Sequence, residues 1–236
     1  WPWKRSVLSA IIWQLREAGA GIIVLPILFS EYDRLDGDQE LLEALVGNGV
    51  VIAQNGSFSV NKNGVPRGVA KIGDPLPFLF EWEGMLGPIA EFGANADGVG
   101  VLNTVPEIDG VVRRLPMLMR VGDEIYPALA IEVIRVAVGD PSYQVKSNAG
   151  GVDKMRVPGY ATIQTDSNAR IWLRWNKTFD TVSASEPEKF SQLEGKTVIL
   201  GISADGINGV IASPKGGQYN YMPAAVSLQN IMDGDT

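Results

Sequence analysis

The side chains best suited to chemistry lie in two polar stretches. Ser30, Glu31 and Asp33 follow the apolar run 21–28, and Ser203, Asp205 and Asn208 follow the apolar run 197–201. In open α/β sheets, ligands favour the crevice at the carboxyl ends of the strands. If the two runs are neighbouring strands, the six residues form a polar, acidic rim suited to a cation, an amine or a polyol. Ser, Asp and Asn are also the common formers of turns and loop caps, and that more ordinary role accounts for the same residues. A carboxylate-based hydrolase using Glu31 and Asp33 is the enzymatic alternative. Such chemistry requires them to converge in a cleft with shifted proton affinity.

Arg113 and Arg114 follow the turn signal Asp109-Gly110. Adjacent residues of a strand point to opposite faces, so one guanidinium can bind an anion while the other pairs with Glu107 or Asp109. Ordinary hairpin ion pairs explain both. Asp33, Asp36, Asp38 and Glu40 form an acidic cluster, but it lacks the alternate ligands, central Gly and distant Glu of a calcium loop. Helix capping by Asp36 or Asp38 explains it better. Gly201-Ile202-Ser203-Ala204-Asp205-Gly206 lacks the G-x-S-x-G spacing of a nucleophile elbow.

What is missing excludes more. The 236 residues contain no His and no Cys. There is therefore no Ser–His–Asp triad, thiol nucleophile, disulfide framework or Cys-based metal knuckle. With 20 basic and 27 acidic residues the formal net charge is −7, and no basic run offers a footprint for nucleic acid. No catalytic residue, cofactor or metal is expected. No apolar run approaches the roughly 20 residues that span a bilayer. The chain opens on Trp1 and not Met, so it is expected to be a piece of a longer protein.

The positioning elements follow from periodicity. Leu8, Ile11, Ile12, Leu15 and Ala18 share one face of a helix over 6–18, closed by Gly19. Residues 21–28 read as a buried strand, with Pro26 marking an end, an edge or a bulge. A helix over 38–46, capped by Asp36, and a strand over 49–53 complete a βαβ unit with parallel strands. Residues 55–97 read as a long excursion with turns at Asn55-Gly56 and Asn63-Gly64 and a short helix near 83–91. Alternation predicts a hairpin over 98–121. A helix spans 127–138, then a polar stretch over 140–155, a second hairpin from 160–164 and 170–175, a strand at 197–201 and a helix over 223–233. The fold class is α/β: a mixed sheet with parallel core strands, flanking helices and antiparallel hairpin extensions, forming one domain over 1–236.

Five segments, in order, resemble the type 2 CHASE domain. They are Trp1-Pro2-Trp3-Lys4-Arg5, Leu28-Phe29-Ser30-Glu31-Tyr32-Asp33, the hairpin Asp109-Gly110-Val111-Val112-Arg113-Arg114-Leu115-Pro116, Tyr126-Pro127-Ala128-Leu129-Ala130, and Gly195-Lys196-Thr197-Val198-Ile199-Leu200-Gly201. The chain departs from the pattern at Pro26, where an Asp is usual. It departs again at Val226-Ser227-Leu228, where a polar residue, commonly His, is usual. The resemblance implies a bacterial extracytoplasmic sensory domain at the cell membrane, facing the periplasm or the outside. It would be joined to membrane helices beyond both ends and to a cytoplasmic cyclase or kinase output. The candidate partners are an unknown small-molecule ligand and a second copy of the chain, while the sequence determines neither the ligand nor the oligomeric state. The alternatives are a carboxylate-based hydrolase and a ligand-free dimerisation module.

Overall fold

The computed structural model describes residues 3–47, 49–60, 63–204, 207 and 209–236. The chain opens with α1 (Arg5–Glu17), β1 (Ile22–Leu28), α2 (Asp38–Leu45) and β2 (Val50–Ser57). Next come β3 (Val69–Ile72), β4 (Phe80–Glu81), β5 (Gly84–Leu86), α3 (Ala90–Asn95) and β6 (Gly98–Val101). Then follow β7 (Arg114–Pro116), β8 (Leu118–Val121), β9 (Glu124–Pro127), α4 (Leu129–Val138), β10 (Tyr143–Asn148) and β11 (Gly151–Arg156). The last elements are β12 (Thr162–Ile163), β13 (Arg170–Trp172), β14 (Thr197–Ile199), β15 (Val210–Ser213), β16 (Gly216–Tyr219) and α5 (Met222–Asp233).

The central sheet has four parallel strands in the order β14-β1-β2-β6, and β5 adds an antiparallel partner to the far end of β2. The expected parallel core and βαβ unit are present. Period-2 alternation sends the side chains of β1 and β2 to opposite faces. Ile23, Leu25, Val50 and Ile52 bury against Leu8, Ile12 and Leu15 of α1 and Leu41 and Leu45 of α2. Val24, Val51 and Ala53 bury on the other side, with Leu129 and Val133 of α4 and Val226 and Leu228 of α5. Each such Leu or Ile is worth about 1.5–3 kcal/mol when fully buried, which is why the helices clamp both faces.

Pro26 lies within β1, which has partners on both sides. The pairing jumps from Leu25↔Ile52 to Leu28↔Ala53. That bulge leaves Pro26 and Ile27 unpaired, so the missing N–H costs no ladder bond. Gly100 serves a different need: a Cβ there would stand 2.5 Å from the Cα of Leu129. Its bare backbone lets α4 lie directly on β6.

Several expected pairings differ. Residues 98–121 do not form a hairpin. β6 joins the parallel sheet through β2, β7 pairs with β13, and β8 pairs with β9 through the turn at Gly122. Residues 160–164 and 170–175 do not pair with each other either, since β12 adds to β11. The polar stretch 140–155 contains the β10–β11 hairpin. Asn55-Gly56 is no turn but the end of β2, and the short helix is 90–95. Asp36 does not cap α2, whose N-cap is Gly37 with no side-chain cap bond. A satellite hairpin, β15–β16, stands apart from the central sheet.

Candidate functional site

Among the described residues, the polar constellations outside the cores include three built from loops and strand ends. The first joins the start of α1 to the loop after β1. The free N–H groups of a helix's first turn need acceptors, and the Asp33 carboxylate takes the Arg5 N–H at 3.0 Å and the Leu35 N–H at 3.1 Å. Asp38 accepts the Asp33 N–H at 2.8 Å and pairs with the Arg5 guanidinium, which also reaches the Glu31 carbonyl. That guanidinium lies 5.3 Å from the Phe29 ring centroid and 5.2 Å from that of Phe92. Burial would push the Asp33 carboxyl up, but the Arg5 and Leu35 N–H bonds and the Arg5 charge hold it below the usual Asp range. Glu31 is exposed and Ser30 half-buried.

The second constellation surrounds the turn at Glu107–Val111, where the Gly110 N–H donates to the Glu107 carbonyl at 2.8 Å. Arg113 grips Asp109 with two bonds of 2.9 and 2.7 Å, and Arg114 holds Glu107 at 2.6 Å and Asp166 at 3.4 Å. The Arg114 guanidinium also stacks 5.1 Å from the Trp172 ring centroid. The Arg113 fork and the Val111 N–H hold the Asp109 carboxyl down to about 2. Arg114 lowers Glu107 in the same way.

The third is a cleft of about 380 Å³ at the C-terminal end of the β2–β6 pairing. Asn55, Asn103, Thr104, Val112, Val210 and Asn220 are among the residues that line it. Asn103 is held at both ends of its amide, accepting from the Gly56 N–H and donating to the Gly56 carbonyl, both at 2.9 Å. The β15–β16 hairpin covers one side. It is tied to the turn after β6 by the Val112 N–H donating to the Ala212 carbonyl at 2.8 Å and by the bridge Val111↔Ala212.

A family model of the CHASE2 domain matches residues 1–234. The chain belongs to the CHASE2 domain family. No curated protein matches it, and no solved structure does. CHASE2 domains are extracellular sensory domains of membrane receptors and not catalytic ones. No helix among the described residues is long and apolar enough to cross a membrane.

In this CHASE2 domain, Ser30, Glu31 and Asp33 sit with α1 and α2, while Ser203 is exposed beyond β14, its carbonyl accepting from the Tyr219 hydroxyl at 3.4 Å. No hydrogen bond joins Ser203 to the loop at 30–33 among the described residues. Asp205 and Asn208 lie outside the described residues. Arg113 and Arg114 belong to the second constellation, each committed to a carboxylate. The cleft was missed from sequence because Asn55 and Gly56 signal a turn, and nothing local places Asn103 and Asn220 beside them. Among the described residues no group of three or more acidic side chains is placed to hold a metal ion.

A buried carboxylate was missed as well. Glu132, on the apolar stripe of α4, is fully buried. It accepts from Arg67 Nε at 2.9 Å, Arg135 at 2.8 and 2.9 Å, the Val99 N–H at 3.2 Å and the Tyr143 hydroxyl. Burial first, and the Glu132 charge second, push the Tyr143 hydroxyl well above its usual value. The acceptor sites of Glu132 are occupied, so its role is to tie α4 to β6 and β10.

Proposed function

We propose that this CHASE2 domain is the extracytoplasmic input module of a transmembrane receptor, passing a ligand or envelope signal to a cytoplasmic output domain. The observation that carries this reading is the family match over residues 1–234. The signal would act by changing how the first and last helices sit on the shared sheet. α1 is bound to the loop after β1 through Arg5 and Asp33. The last turn of α5 is gripped from the other side of the chain, with Lys177 bonding Asp233 at 2.6 Å and Asp235 at 2.8 Å.

A hydrolase built on Glu31 and Asp33 fits less well. A general acid needs a carboxyl raised toward neutrality, whereas Asp33 is lowered by the N–H groups it accepts.

The chain contains no cysteine, which makes its placement directly testable. Ile108 is fully exposed, so Ile108→Cys in the full-length protein presents one new thiol. A membrane-impermeant maleimide should label it in intact cells, above the signal of the unsubstituted protein. Labelling only after lysis would overturn the reading.

A further inference from the structure

We propose that the outward face of the sheet β12-β11-β10-β3 rests on a bilayer surface bearing anionic headgroups, with Lys146, Lys154 and Arg156 as its contacts. Period-2 alternation divides this sheet into two faces. Tyr143, Val145, Met155 and Ile163 turn inward and are buried in the core. Lys146, Lys154, Arg156 and Thr162 turn outward and are exposed. The register sets Lys146 directly opposite Lys154, with Arg156 opposite Gln144. Like charges opposite each other in a sheet are destabilising. A chain with 27 acidic and 20 basic residues nevertheless places three cations together here. Asp153 lies 3.3 Å from the Lys146 ammonium and offsets one of them. Among the described residues no carboxylate pairs with Lys154 or Arg156, and Arg156 donates its Nε–H to the neutral Gln144 side chain at 2.6 Å.

The partner's chemistry follows from this face. Cations on an open pleated surface leave a single small anion hydrated, so they fit a surface that presents many anions at once. Ile72, 67% exposed, stands beside Lys146 in the β3–β10 register and turns to the same side. An exposed apolar side chain among basic ones suits the headgroup layer, where apolar burial and attraction to anionic lipid act together. Position favours a bilayer over a soluble polyanion. The Tyr160 hydroxyl, in the turn between β11 and β12, donates to the Ile231 carbonyl in the last turn of α5 at 3.2 Å. On the receptor reading above, on which this choice rests, the chain beyond α5 leads to the membrane, so the sheet is held close to it. Each cation near an anionic surface contributes weakly by itself. Tethering raises the local concentration enough for weak contacts to persist. Headgroup charge and salt would then become inputs that reach the end of α5 through Tyr160.

The test anchors the chain through a C-terminal hexahistidine to vesicles containing a nickel-chelating lipid, which reproduces attachment after α5. Because the chain has no cysteine, Thr162→Cys carries a single fluorophore on the outward face. Leu35→Cys carries the same fluorophore in the exposed loop before α2, a helix packed on the other side of the central sheet. In phosphatidylglycerol vesicles, a headgroup nitroxide should quench the label at 162 at least about twofold more than the label at 35, and high salt should remove the difference. Lys154→Glu with Arg156→Glu should abolish it. Lys4→Glu with Lys215→Glu, which changes the net charge equally, should leave it intact. Equal quenching at both labels, the same difference in phosphatidylcholine vesicles, or a difference that survives the Lys154 and Arg156 exchange overturns the proposal. So does a loss that the Lys4 and Lys215 exchange matches. Inorganic polyphosphate that perturbs the label at 162 where vesicles do not would assign a soluble polyanion and overturn the bilayer. The vesicles contain no cell, so this outcome and that of the placement test above are separate.

Discussion

The backbone N–H of Arg5 donates to the Asp33 carboxylate at 3.0 Å, so a residue 28 positions away in sequence caps the first helix. Arg5, at the start of the first helix, and the Leu28–Asp33 loop are thus one structural unit. The loop is shaped by what α1 and α2 need: Asp33 serves α1, and Asp38 answers by accepting the Asp33 N–H. Asp33→Ala removes a helix cap, and losing a cap costs about 1 kcal/mol. Urea denaturation should show that loss. No change in midpoint would mean that the bond carries no stability.

The acid limb of stability has a defined sign. Asp109 titrates at about 2 when folded, below its usual 3.8, because Arg113 and the Val111 N–H favour its charged form. A carboxyl lowered on folding adds stability that is fully present above its unfolded value and lost as pH falls through its folded one. That window runs from about pH 4 down to about pH 2. Carboxyl NMR should place the Asp109 midpoint near the lower value, and Arg113→Gln should move it back toward 3.8. A midpoint unmoved by that substitution would remove the Arg113 fork as the cause.

Glu132 should be among the positions least tolerant of change. Its carboxylate is fully buried among Arg67, Arg135 and Tyr143. Glu132→Leu leaves the buried Arg135 without its counter-ion, and breaking one half of a buried pair costs about 3–5 kcal/mol. Tyr143→Phe removes one hydrogen bond to a charged group, with a smaller loss of about 1.5–3 kcal/mol. Chemical denaturation of both variants checks the order. A Glu132→Leu variant as stable as the parent would make the network dispensable.

What could be read from the sequence follows physical lines. The helices α1, α2, α4 and α5 and the strands β1 and β2 were legible because their apolar residues repeat at 3.6 or fill a short run between glycines. The hairpin at 143–156 was not, although Tyr143, Val145 and Ser147 do alternate inward. Ser147 is polar, and the outward Gln144, Lys146 and Asn148 make the segment look like a loop. The residues 98–121 failed differently. Alternation reports which side chains share a face, not which strand lies alongside, and both β6 and β7 found partners far away in sequence. The cleft was invisible for the same reason. Asn55, Asn103 and Asn220 meet only through the fold, and each alone is an ordinary loop residue.

The glycine at 100 is a packing requirement that substitution will expose. A Cβ there meets the backbone of Leu129 at 2.5 Å, and backbone cannot rotate aside as a side chain can. Gly100→Ala must push α4 off β6, and overpacking of this kind costs about 1–3 kcal/mol. Differential scanning calorimetry should show a lowered Tm. An unchanged Tm would mean that α4 shifts without cost.

The β15–β16 hairpin offers the last prediction. It is tied to the turn after β6 where the Val112 N–H donates to the Ala212 carbonyl and Val111 bridges Ala212. These contacts close the cleft on one side, so their persistence decides whether the hairpin is a fixed wall or a moving cover. Because the chain has no cysteine, Val111→Cys with Ala212→Cys can form only one intrachain bond. The bond would close a loop of roughly 100 residues, for which chain entropy allows up to about 4.7 kcal/mol, with about 2–4 typical. If the hairpin rests against the turn as the bridge requires, the oxidised variant should form readily without distorting either segment. It should then unfold at higher temperature than its reduced form. A bond that forms without raising the Tm, or that fails to form under mild oxidation, would mean that the two segments do not hold this register in solution. The cleft would then lack its wall.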